Sequence, residues 1–206
     1  MQPFFIIFLQ LSVGGVQRKI VDIVNFLASY QPNLSIYILL RNRTDFDLSP
    51  EIKNKNVKII NYAEWNKFKV RYFFPFFVLY YVLRLKPASI LAFLDFCSIP
   101  AVIAKYVFFW RKIKVVLSED HYASQVISTW KLSNLRHFLI RIFYPFADVI
   151  FSCSQAAKQD LTDYYGLPSS KIKIIYNWTT FGSKKIRKAD KKYDFIYVGR
   201  WEKTKI

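Results

Sequence analysis

The sequence predicts an α/β chain built around a doubly wound parallel sheet, and three observations carry that expectation. Short apolar runs recur along the chain and are mostly continuous, as in strands covered on both faces. Stretches with helical apolar spacing separate them, so strand and helix alternate over the whole length. The first apolar run stops at a Gly-Gly turn that opens directly into an amphipathic helix. With 206 residues, 53% apolar and 22% charged, the chain can bury a full core and is not of the disordered class.

Phe4 to Leu9 is rich in β-formers and reads as a buried strand ending at Ser12-Val13-Gly14-Gly15. Val16, Ile20, Val24 and Leu27 then recur at helical spacing, with Gln17, Lys19, Asp22 and Asn25 on the polar face. Further strands are expected at Leu34 to Leu40, Val57 to Ile60, Ser89 to Leu94, Val115 to Leu117, Val149 to Ser152 and Ile172 to Tyr176. Helices are expected at Trp65 to Leu85, Pro100 to Trp110, near Leu135 to Tyr144, and at Ser154 to Tyr165. The last is punctuated: Ser154 can cap its start, and Gly166 followed by Pro168 ends it. This first domain covers residues 1–177. A basic linker follows over 178–192, where Lys184, Lys185, Arg187, Lys188, Lys191 and Lys192 crowd without apolar periodicity. Residues 193–206 then read as the first strand of a second domain, truncated at once.

The longest run without charge, Met1 to Gln17, is interrupted by the glycines and is too broken to span a membrane; Tyr72 to Leu83 is shorter and holds Pro75. No cation precedes the apolar start and no small-residue cleavage site follows, which leaves the cytoplasm as the expected compartment. Cys97 and Cys153 belong to no Cys-x-x-Cys or Cys/His cluster, so neither a disulfide framework nor a zinc site is indicated. Lys and Arg number 31 against 14 acids, a net charge of +17 that favours an anionic partner; codon bias toward Lys accounts for the excess equally well. Cations and aromatics mix over Trp65 to Lys86, which suits either an anionic membrane surface or a buried helix with solvated ends. No nucleic-acid motif is present, and no nucleic-acid partner is expected.

Three places could carry chemistry. Gly14 and Gly15 leave bare N–H groups at a helix start, where a phosphate could sit, although the pattern is neither a G-x-G-x-x-G fingerprint nor a P-loop and also suits a plain turn. His121, in Ser118-Glu119-Asp120-His121, follows a strand and falls at the carboxyl edge, where it could bind a hydroxyl or move a proton. His137 lies among helical residues and reads as structural. Arg200 and Lys205, just past the last strand, have the chemistry of a diphosphate clamp, and a basic tail is the plain alternative.

In order, these segments resemble the retaining glycosyltransferases of family 4, which have two Rossmann-like domains in the GT-B arrangement. LSVGGVQRKIVDIVNFLAS is similar to the family's first strand-to-helix passage, and VVLSEDHYAS to the strand that ends in a histidine near the reacting sugar. ADVIFSCSQAAKQDLTDYYGLPSSKIKIIYN resembles the last strand and helix before the hinge, and DFIYVGRWEKTK the first strand of the donor domain. Asp95-Phe96 stands where many relatives carry a histidine, Trp178 replaces a glycine after Asn177, and the family's paired donor-binding glutamates are missing. The resemblance implies transfer of a sugar, with retention, from a nucleotide diphosphate sugar to a glycan or lipid-linked acceptor. It implies that Gly14 and Gly15 line the cleft, that His121 contacts the transferred sugar, and that Arg200 and Lys205 neutralise the leaving diphosphate. It implies no metal and no cofactor beyond the donor. Two rivals stay open: a binding module or half-enzyme completed by a second chain, and a basic peripheral protein of the inner membrane face without sugar chemistry.

Overall fold

The computed structural model describes residues 2–42, 48–65 and 73–178. In chain order they form β1 (Phe4–Phe8), α1 (Gly15–Tyr30), β2 (Ile36–Leu40), β3 (Val57–Asn61), α2 (Tyr62–Trp65), α3 (Phe74–Leu85), β4 (Ser89–Phe93) and α4 (Asp95–Val107). β5 (Lys114–Glu119), α5 (Ala123–Ser128), α6 (Ser133–Phe143), β6 (Val149–Ser152), α7 (Gln155–Asp163) and β7 (Ile172–Ile174) complete them. The seven strands make one sheet in the order β3-β2-β1-β4-β5-β6-β7, with every neighbouring pair parallel. The chain winds outward from β1 first toward β3 and then toward β7, which is the Rossmann-like, doubly wound α/β architecture expected. The direction reverses between β1 and β4, and crevices outside the carboxyl ends at such a switch point are where ligands of open α/β sheets bind.

Alternate residues of each central strand serve opposite cores. Phe5 and Ile7 of β1, with Ile90 and Ala92 of β4, join the layer made by Phe77, Val78 and Val82 of α3 and Ala101 and Val102 of α4. Ile6 and Phe8, with Leu91 and Phe93, join Ile20, Val21 and Val24 of α1. Burial on both faces explains why these runs are continuous in sequence, and each such side chain contributes about 1.5–3 kcal/mol.

Some boundaries differ from expectation for identifiable reasons. α4 begins at Asp95, five residues before the expected Pro100, so the proline lies inside the helix. α3 begins at Phe74 with Pro75 in its first turn, where a missing N–H costs nothing, and residues 66–72 of the expected Trp65 to Leu85 helix lie outside the described residues. β5 runs through Glu119, so Ser118 and Glu119 are strand residues and only Asp120 and His121 lie beyond it. β7 stops at Ile174 rather than Tyr176. α5 is an element the sequence reading lacks: its N-cap residue, Tyr122, gives no side-chain cap, and the carboxylate of Asp160 in α7 takes the Ser124 N–H at 2.9 Å instead. α7 follows its punctuation, since Ser154 Oγ accepts from the Ala157 N–H at 3.1 Å and Gly166 turns the chain at φ 70°.

Candidate functional site

The carboxyl ends of β1, β4 and β5 converge on one cluster of polar side chains. β5 delivers three of them. Asp120 is almost wholly buried, accepts from Lys19 Nζ at 2.7 Å, and also accepts from Ser118 Oγ at 3.1 Å. The sequence places Lys19 on the solvent face of α1; instead it is buried, because the partner it needs is on β5's tail and not on its own helix. Glu119 is fully buried, and Tyr144 donates its hydroxyl proton to Oε1. Burial, reinforced by the nearby Asp95 charge, pushes the Glu119 carboxyl well above the usual range, in favour of the neutral acid.

His121 has 18% of its side chain exposed, and its Nδ1 stands 3.9 Å from Glu119 Oε2. Burial lowers its pKa, more than Asp95 and Asp120 can offset, which disfavours an ion pair with Glu119. Glu119 Oε2 and His121 Nε2 are both buried without a hydrogen-bond partner. A neutral imidazole with an unspent nitrogen can accept from or donate to a hydroxyl according to its tautomer.

Across the switch point, Gly14 is the N-cap of α1 and Gly15 its first residue. Gly14 has an extended φ of 174°, no side chain caps the helix, and no acid lies in its first turn. A Cβ at Gly14 would come within 2.4 Å of the flexible Gln17 amide, and one at Gly15 would meet nothing. The two glycines therefore leave an open helix start with the positive end of the dipole unanswered. The Lys19–Asp120 pair ties this start to the segment that carries His121.

From the end of β4, Asp95 accepts Arg136 Nε at 2.6 Å and Nη2 at 2.5 Å, a buried bidentate pair between α4 and α6. Their pairing is not legible in the sequence, since a separation of 41 positions carries no local signal. His137 is buried in α6, with Nδ1 on the Tyr165 hydroxyl at 2.8 Å and Nε2 on Ser128 Oγ at 3.2 Å. Trp178, directly after the expected hinge, donates from Nε1 to Asp22 on α1 at 3.2 Å. Arg200 and Lys205 lie outside the described residues, as do the linker from residue 179 and the strand expected from Phe195. Among the described residues no group of three or more His, Cys, Asp and Glu could hold a metal ion, and no helix is long and apolar enough to cross a membrane.

Known proteins share this frame. The chain is 25% identical, over its whole length and 57% of the other protein, to the Campylobacter jejuni N-acetylgalactosamine-N,N'-diacetylbacillosaminyl-diphospho-undecaprenol 4-alpha-N-acetylgalactosaminyltransferase. Among solved structures, the lipopolysaccharide outer core galactosyltransferase WaaB superposes with a TM-score of 0.62 at 15% identity, covering 89% of this chain and 47% of WaaB. The UDP-GlcNAc 2-epimerase of Neisseria meningitidis superposes at 0.55 with 15% identity, covering 86% of this chain and 47% of the epimerase. A transferase and an epimerase on one frame mean that the superpositions establish fold and not reaction. The chain spans about half the length of the proteins it matches. The sequence profile of Glycosyltransferase Family 4 matches residues 13–180, from the glycine turn to beyond β7, and so the chain belongs to Glycosyltransferase Family 4.

Proposed function

We propose that the protein acts in the transfer of a sugar, with retention of anomeric configuration, from a nucleotide diphosphate sugar to a lipid-linked glycan. The observation that carries this reading is the family match over residues 13–180, which takes in both the open start of α1 and His121 at the carboxyl edge. The lipid-linked acceptor is taken from the name of the Campylobacter jejuni relative. In this reading Gly14 and Gly15 line the cleft, and the helix start faces the anionic part of the substrate. His121 contacts the transferred sugar with the exposed part of its ring, and the lowered pKa favours a neutral group that does not repel the positive charge developing on that sugar. Arg200 and Lys205 neutralise the leaving diphosphate at the start of a donor domain beginning near residue 193, with 178–192 as the linker. No resident metal or cofactor takes part.

The same reading places the protein in the cytoplasm at the inner membrane face, where a lipid-linked acceptor would be met. α3 supports that placement. Phe73, Phe76, Tyr80 and Leu83 form an exposed apolar row on the side opposite its buried row. An anionic bilayer would cover it, and the net charge of +17 would add attraction.

The test is a transfer assay on the full-length product of the gene that carries this sequence, with a panel of nucleotide diphosphate sugars and a polyprenyl-diphosphate-linked glycan. The expected product keeps the donor's anomeric configuration, and His121→Ala lowers turnover about 10²- to 10⁴-fold with little change in melting temperature. Inverted product, or donor turnover that needs no acceptor, would overturn the reading.

A further inference from the structure

The carboxyl edge holds one feature that this reading leaves unused. At the end of β4, Leu94 adopts φ 64° and ψ 155°, a conformation natural to glycine that costs a leucine roughly 1–3 kcal/mol. The turn sends Asp95 inward to its pair with Arg136 and leaves Phe96 36% exposed on the surface. The Phe96 ring lies nearly parallel to that of half-buried Trp130, at 20° and 5.8 Å between centroids. The Arg136 guanidinium holds both rings, 3.8 Å from the Phe96 centroid and 3.9 Å from that of Trp130. Arg41, just past β2, stands 4.9 Å from the Phe96 ring, and His121 lies 6.1 Å from the Trp130 ring.

A strained turn, a desolvated ion pair and partly exposed rings each cost stability, and they share one result: two aromatic faces fixed in place beside His121. Rings held flat at the edge of a polar cleft suit a ligand with an apolar face and a polar rim. A pyranose ring has that form, with C–H groups on its faces and hydroxyls around its edge. The rim finds partners here. Arg41 and His121 flank the rings. A polyprenyl tail fits less well, because it has no polar rim to meet the His121 ring beside the platform.

We propose that Phe96 and Trp130 form a stacking platform for a pyranose ring of the acceptor saccharide. Naming the occupant as acceptor rests on the transfer reading above; saccharide binding by the platform does not.

Two measurements separate these claims. Saturation-transfer NMR on the protein, with a free N-acetylhexosamine disaccharide as probe, should show saturation on ring C–H protons, about tenfold weaker binding with Phe96→Ala, and near-normal binding with Trp130→Phe. In the transfer assay Phe96→Ala should raise the acceptor KM about tenfold and leave the donor KM unchanged. Trp130 packs partly on the core, so Phe96→Ala with an unaltered melting temperature is the decisive variant. Saccharide binding lost in Phe96→Ala by a protein that transfers nothing would uphold the platform and sink the transfer reading. Transfer with both KM values and the NMR signal unchanged in Phe96→Ala would overturn the platform and leave transfer standing.

Discussion

Lys19 and Asp120 meet at 2.7 Å from positions 101 residues apart, with their side chains only 8% and 1% exposed. A pair desolvated to this degree adds little net stability, but losing one partner strands the other charge in the interior. Lys19→Met should therefore cost about 3–5 kcal/mol, and Lys19→Met with Asp120→Asn should recover much of it. Urea unfolding of the two single variants and the double completes the cycle. A single-variant loss below about 1 kcal/mol would mean that water reaches Asp120 and that the link between α1 and β5 is loose.

Glu119 makes a pH-dependent contribution of known sign. Its folded pKa is raised, mainly by burial, so the folded chain keeps a proton that the unfolded chain releases above its ordinary value of 4.5. Its contribution to stability is complete below that value and is lost as pH rises, by about 1.4 kcal/mol per unit until the folded pKa is reached. Glu119→Gln cannot titrate and can still accept from Tyr144. The difference in urea midpoint between Gln variant and wild type should move in favour of the variant from pH 5 to pH 7.5, and a constant difference would show that Glu119 ionises in the fold.

Asp148 carries the opposite sign. Burial alone would raise its pKa, but hydrogen bonds from Lys105 Nζ and the Val115 N–H, both 2.7 Å from Oδ2, hold it below its ordinary value of 3.8. The stabilisation is present above the unfolded pKa and is lost as pH falls through the lowered one. Asp148→Ala should cost about 1–3 kcal/mol near neutrality, and the difference from wild type should shrink below about pH 4. Melting curves across pH check both parts; a deficit that persists undiminished in acid would point to packing rather than charge.

The outer row of α3 predicts membrane association. Phe76→Glu with Leu83→Glu puts acids on the exposed side and leaves buried Phe74, Phe77, Val78 and Val82 untouched. Flotation with anionic vesicles should show binding by the wild type that weakens as salt rises, and a loss of at least about tenfold in the double variant. Equal flotation of the two proteins would remove α3 from the contact.

The parts of the fold that are legible in sequence are those with a local cause. β1 and α1 follow from a continuous run, a glycine turn and helical spacing, and α7 from Ser154 and Gly166. α5 has no such cause, because its start is held by Asp160, 36 positions away. The start of α4 misleads for a related reason: Pro100 looks like a first-turn proline, while the strained Leu94 that begins the helix has no sequence signature. At the site, His121 is legible from its place after a strand. Lys19, Asp95 and Arg136 are not, since each reads as an ordinary surface charge until a distant partner takes it inside.

The strand order has a consequence for how copies of this domain meet. Among the described residues β3 and β7 are the outermost strands, and an outermost strand offers unpaired N–H and C=O groups to any passing chain. β7 is only three residues long, with exposed Lys173 at its centre, and β3 carries exposed Lys58 next to its first residue. Two copies approaching edge to edge would bring lysines together along a seam too short, on the β7 side, to outweigh their repulsion. The charge on each edge thus works against templated growth of the sheet in a chain so rich in apolar strands.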